Sequence, residues 1–128
     1  MKSADGFTLI EMMIVVGILA IIAAIATPIY TDQVRQGHRA AGQAVLLDAA
    51  ARQRQFLIEQ RSYAQTFSDL GMTVPAALAS RYTLSITALD GTPPTFSLAA
   101  APVGSQASDR CGTLSVDQGG QRLPAGCW

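Results

Sequence analysis

Charge is scarce in this chain, and histidine and cysteine are scarcer still. Of its 128 residues 9 are basic and 9 acidic, which leaves no net charge to draw it by itself to a nucleic acid or an acidic partner. The one histidine, His38, has no companion ligand or nucleophile and reads as a solvated surface residue. No Ser/His/Asp or Cys/His set, phosphate-binding glycine loop or suitably spaced carboxylate pair occurs, and Gly119–Gly120 reads as a turn. The expectation is a non-enzyme without cofactor or metal. There are two cysteines, Cys111 and Cys127, with no neighbouring histidine to complete a coordination shell. In an exported chain such an even pair reads as a disulfide. The length allows one modest domain.

What charge there is lies unevenly. Between Phe7 and Tyr30 only Glu11 is ionisable, within "GFTLIEMMIVVGILAIIAAIATP", and nearly all other charges follow Thr31. Met12 to Ile29 is rich in Ile, Val, Leu and Ala, and at ~1.5 Å per residue it is long enough to cross a ~30 Å hydrocarbon core. A carboxylate in such a span costs at least about 2.5–3.5 kcal/mol, which makes Glu11 a functional candidate. It either reaches the headgroups or finds a partner. An ordinary secretory signal places its small-residue cleavage site after the apolar core, whereas here the small residue, Gly6, precedes it. A cut after Gly6 would keep the apolar segment on the mature chain as its first helix.

The stretch "GFTLIEMMIVVGILAIIAAIATPIY" resembles the N-terminal signature of type IV pilins and of the related type II secretion pseudopilins. The resemblance implies cleavage by prepilin peptidase between Gly6 and Phe7, methylation of the new N-terminal Phe7, and assembly from the inner membrane into a helical filament. Residues 1–6 would then be a leader, in which Lys2 supplies the only positive charge and Asp5 departs from the usual basic character. It also gives Glu11 a partner: the Phe7 amine of an adjacent subunit, whose charge would offset part of the desolvation cost. Gly17 and Pro28 are weak points of the span. Proline removes the bond to the Ala24 carbonyl, so a kink or locally unwound segment between them is expected.

From Tyr30 onward the pattern becomes amphipathic. Val34, Ala41, Val45, Ala49 and Phe56, with Leu46, Ala50 and Leu57 beside them, recur at helical spacing, while Arg35, Arg39, Asp48, Arg54 and Glu59 mostly take other faces. The helix therefore continues to Gln60. A connection over residues 61–80 follows, of the kind that varies among pilins and often lies on the surface. "RYTLSITA", "TFSLAA" and "GTLSVD" then alternate, with Tyr82, Leu84, Ile86, Phe96, Leu98, Leu114 and Val116 on one face. Turn signals at Asp90–Pro94 and Asp117–Gly120 favour antiparallel connections. The fold class is α+β: a long N-terminal helix on an antiparallel sheet of three or four strands, with residues 7–30 as transmembrane or filament-core helix and 31–128 as head.

"CGTLSVDQGGQRLPAGCW" is similar to the disulfide-bonded C-terminal region of type IV pilins, most like the PilE-type minor pilins of Gram-negative bacteria. A bridge there closes a loop of about 15 residues, for which chain entropy gives roughly 3 kcal/mol. Trp128 would pack over the bridge or, alternatively, stand free for a partner. The resemblance implies a structural, minor pilus subunit that supports pilus biogenesis, twitching motility and adhesion. Its partners would be other major and minor pilins, prepilin peptidase and the inner-membrane assembly platform, with a periplasmic head before assembly and an extracellular one after. A DNA-receptor pilin is the alternative, using Arg35, Arg39, Arg52, Arg54, Arg61, Arg81, Arg110 and Arg122. A type II secretion pseudopilin is a third reading, against which the terminal cysteine pair and the lack of an Asp-rich calcium loop both count.

Overall fold

The structure, a computed structural model, describes residues 6–128. Residues 1–5, including Lys2 and Asp5 of the expected leader, lie outside the described residues. Helix α1 runs from Leu9 to Gln60. Thr8 starts it: its Oγ1 accepts the Glu11 N–H at 3.3 Å, an N-cap that satisfies one of the donors a first turn leaves open. Arg61 closes it in the left-handed conformation, φ 59°, while its N–H donates to the Leu57 carbonyl at 2.8 Å.

The helix is continuous through Gly17 and Pro28, so the unwound segment expected there is not the conformation of this structure. Next to the bond that Pro28 cannot make, the Thr27 hydroxyl donates to the Ala23 carbonyl at 2.7 Å and the Thr31 hydroxyl to the Thr27 carbonyl at 3.1 Å. Both side chains support the backbone around the gap.

The chain divides into two compact units, one ending at Val34 and the other Arg35–Trp128; the sequence had suggested Tyr30/Thr31. The first consists of exposed apolar helix. In the second, the last half of α1 buries Arg39, Gly42, Leu46, Ala49, Ala50 and Gln53. This corrects the expected stripe at several places. Ala41 is exposed, and Val34 belongs to the other unit with 39% of its surface open. The buried line falls on residues that hydrophobicity alone passes over: glycine where helix and sheet approach, and two polar residues that find partners. A Cβ on Gly42 would lie 3.7 Å from the Tyr82 ring, so only the smallest side chains fit between α1 and the sheet.

The sheet has four antiparallel strands in sequential order: β1 Tyr82–Leu89, β2 Thr95–Pro102, β3 Leu114–Asp117 and β4 Arg122–Leu123. Along β1 burial alternates as the sequence does, with Tyr82, Leu84 and Ile86 turned inward and Thr83, Ser85 and Thr87 exposed. Phe96, Leu98, Leu114 and Val116 complete the buried face; Leu98 and Leu114 on it, and Leu46 of α1, are fully enclosed. Each such side chain contributes about 1.5–3 kcal/mol relative to exposure. The β3–β4 turn is held by Asp117, whose Oδ1 accepts the N–H groups of Gly119 and Gln121, both at 2.9 Å, with Gly120 at φ 79°.

Residues 61–80 carry more order than a surface connection implies. They include a short helix, α2, Ala76–Ala79, and bury Ala64, Leu70 and Leu78 in the core. Gln53, itself buried, acts as a strand-like partner for this segment: its Oε1 accepts the Ala64 N–H and its Nε2 donates to the Ala64 carbonyl, both at 2.8 Å.

Candidate assembly site and the head that supports it

At the N-terminal end, Phe7 is 80% exposed and Glu11 lies in the first turn of α1, also exposed. Among the described residues nothing lies within 4 Å of a Cβ placed on Gly6. In the uncleaved chain Phe7 carries a peptide N–H rather than an amine, so the cation that would pair with Glu11 does not yet exist. Thr8 adds something that periodicity did not reveal: with Glu11 three residues on, it forms the sequence pattern of a capping box, which defines where the helix begins. "FTLIE" therefore joins a helix start and a carboxylate within five residues. Leu9, Met12, Met13, Val16 and Gly17 line an open apolar groove on this helix.

At the other unit's entry point a buried polar network fastens the head to its helix. Arg39 donates through Nε and Nη2 to the two carboxylate oxygens of Asp109 at 2.9 and 2.8 Å, a bidentate pair in which the carboxylate is almost fully buried. Gln106, in the 3-10 turn Gly104–Ser108, directs its amide nitrogen at the Arg35 carbonyl (3.0 Å), the Tyr82 hydroxyl (3.0 Å) and Asp109 Oδ2 (3.2 Å). Burial pushes the Tyr82 hydroxyl above its usual pKa, against the opposing pull of the Gln106 hydrogen bond. The sequence placed Arg39 on a solvated face and among DNA-contact candidates; the structure instead commits it to the interior. Asp109 lies 70 residues away, a separation for which no local pattern gives a signal.

Cys111 and Cys127 form a disulfide with Cα atoms 6.0 Å apart. The Gln43 side-chain amide donates to the Cys127 carbonyl, tying the bridged segment to α1. Trp128 is half-buried against the core rather than free, its indole N–H donating to the Leu123 carbonyl at 2.9 Å and the Arg122 guanidinium lying 5.8 Å from its ring centre. His38 is half-buried, beside Ala41, Val45 and Leu78, and is not fully solvated.

The arginines have unlike surroundings. Arg52 pairs with Asp48 at 3.2 Å and donates to the Leu70 carbonyl at 3.1 Å, and Arg61 lines an open polar hollow with Asp90. Arg81 bonds the Ser105 hydroxyl, while Arg54, Arg110 and Arg122 are exposed. Among the described residues no His/Cys/Asp/Glu group is disposed to hold a metal.

A helix whose apolar start is bare and whose second half is clasped by a four-stranded antiparallel sheet and a C-terminal disulfide defines the type IV pilin class. The chain belongs to the family described as type IV minor pilin ComP, DNA uptake sequence receptor, whose model matches residues 28–115. Residues 1–27 match the prokaryotic N-terminal methylation motif. The chain is 34% identical over 98 residues to fimbrial protein Q of Moraxella bovis, spanning 71% of this chain and 62% of that one. It is 38% identical over 63 residues to a type IV wide pilus major component of Thermus thermophilus, spanning 49% and 48% of the two chains. The chain thus spans less than two thirds of the length of these relatives. A type IV pilin of Shewanella oneidensis has the same fold, with a TM-score of 0.60 and 32% identity over 73% of this chain and 97% of that one.

Proposed function

We propose that the chain is a structural, non-catalytic subunit of a type IV pilus, held in the inner membrane by residues 7–30 and transferred into the filament after the bond between Gly6 and Phe7 is cut and Phe7 is methylated. The observation that carries this is the bare apolar helix. From Gly6 to Val34 every residue is exposed, with Ile21 at 65% and Ile25 at 62%. A surface of that size is stable only in lipid or against other apolar helices. In this reading prepilin peptidase and the assembly platform act on the chain in turn, and other pilins then cover the helix. Glu11 pairs with the Phe7 amine of a neighbour. The fimbrial and pilus names of the relatives favour this over a secretion pseudopilin.

Mass spectrometry of the mature N-terminus tests the cut, which must leave Phe7 first. Glu11→Ala tests the pairing: membrane insertion and cleavage persist, but the share of tagged subunits in sheared pili falls sharply, since an unpartnered buried charge costs about 3–5 kcal/mol. Normal incorporation of that variant would reduce Glu11 to an interfacial role.

The description of the matched family supports a second reading, a DNA receptor on the filament. The arginines available for it are those left exposed, Arg54, Arg61, Arg110 and Arg122, whereas Arg52 pairs with Asp48 and Arg81 is half-buried and bonded to Ser105. Gel-shift binding by the detergent-solubilised chain decides it; a receptor shows an affinity that falls steeply with salt.

A further inference from the structure

We propose that the outer face of the sheet, the one turned away from the core, is a self-association surface on which the head of a second copy of this chain docks. The inference goes beyond the pilus-subunit reading and draws on it only for the membrane anchor used in the test.

Strand register defines the face. Tyr82, Leu84 and Ile86 turn inward, so Thr83, Ser85 and Thr87 turn outward, and all three are exposed. Pairing sets Ser85 beside Ala99 and Ala99 beside Ser115, while Thr87 stands beside Ser97. The result is a patch of hydroxyl and methyl groups three strands wide. Leu89, 62% exposed, and Leu123, 48% exposed, stand at its margins on the same side.

Composition excludes several occupants. A solvated surface carries charge on roughly 25–35% of its residues, yet no lysine, arginine or glutamate stands at any of these positions. The one acid on the face, Asp117, commits its Oδ1 to the Gly119 and Gln121 N–H groups of its own turn. A nucleic acid would need cations here. A stacking ligand would need an aromatic ring, and the rings of these strands, Tyr82 and Phe96, are buried in the core.

What the face matches is itself. Each hydroxyl both donates and accepts, so a copy turned over by a two-fold axis meets donors with acceptors and acceptors with donors, as an isologous contact requires. Its small side chains let two sheets approach at least as closely as the usual ~10 Å, with almost no charge to desolvate. Leu89 and Leu123 add apolar area to the contact. Size sets the strength. At ~3.3 Å per residue and ~4.8 Å between strands the face measures roughly 350 Å² per copy. Two copies together stay well below the ~1,200 Å² of a lasting complex, so a lone pair of heads dissociates and the contact holds where several copies share one surface.

The test uses the full chain reconstituted into phosphatidylcholine vesicles, with one added thiol and a short bismaleimide as cross-linker. S97C lies near the middle of the face and T73C on the loop between α1 and α2; both alter exposed side chains. S97C should give covalent dimer roughly tenfold faster than T73C, because docking raises the local thiol concentration. That advantage should persist at ~1 M salt, where the screening length falls to ~3 Å. Adding S85E or S85K to S97C should return the rate to that of T73C through like-charge repulsion, and mixing the two charge variants should restore it. A misfolded variant could not give that rescue. A face thiol no faster than T73C, in a chain that floats with the vesicles, would overturn the docking surface and leave the anchored reading intact. Dimer from S97C that S85E and S85K leave unchanged would place the contact elsewhere and equally overturn it. Cross-linking that appears only with added duplex DNA or a soluble glucan would make the face a ligand site instead. A chain that does not float would overturn the anchored reading, and the same comparison in detergent would then decide the face.

Discussion

The two parts of α1 invert the usual relation between polarity and burial. Before Val34 the helix leaves its large apolar side chains 44–78% exposed; in the head it encloses Arg39 and Gln53 while its small and aliphatic residues, Leu46, Ala49 and Ala50, complete the core. Among the described residues the first part is exposed throughout, and so large an apolar surface is a requirement that lipid or other apolar helices meet. The second part has a sheet beside it, and its polar residues become tolerable once Asp109 and the Ala64 backbone satisfy them. Hydrophobicity thus reports what a segment needs, and burial reports whether this chain supplies it.

Breaking the head's side of this contrast should have the largest effect. Arg39→Ala leaves the Asp109 carboxylate buried without its partner, and the head should lose about 3–5 kcal/mol, read as a lowered urea midpoint at unchanged slope. An Arg39→Ala head as stable as the parent would mean that water reaches Asp109. Replacing Cys111 and Cys127 together by serine should cost roughly 3 kcal/mol through the freed loop of the unfolded chain, measured as a drop in Tm of the head and a fall in pilin level.

A smaller effect is expected in alkali. The folded pKa of Tyr82 lies above the unfolded value because burial disfavours the phenolate. Its contribution is therefore fully present below the unfolded pKa of about 10 and is lost as pH rises through the folded one. Thermal melts taken upward from pH ~9 should show a decline that Tyr82→Phe reduces. The smallest effect sharpens the comparison. Ile21→Ala should change head stability by less than about 0.5 kcal/mol, although Leu46→Ala, a loss of similar size, should cost about 2–5 kcal/mol. Equal losses at the two positions would mean that the apolar stretch packs on the head.

Much of this protein was legible in residue order because it depends on local periodicity. The apolar run, the helix end at Gln60, the alternation along Tyr82–Leu89 and the turn at Asp117–Gly120 all follow from spacing and turn chemistry within a few residues. Thr8 and Glu11 also carry a local capping pattern, which the reading by periodicity passed over. Only the tertiary structure decided what spans the chain: that Arg39 is interior because Asp109 comes to meet it, that Gln53 serves as backbone partner to Ala64, that Gly42 lets Tyr82 close on α1, and that Gln106 joins helix, strand and loop. The physical reason is range. Periodicity is set by the geometry of neighbouring residues, whereas the partner that makes a buried polar group stable is chosen by chain folding over tens of residues, and no window of sequence contains both.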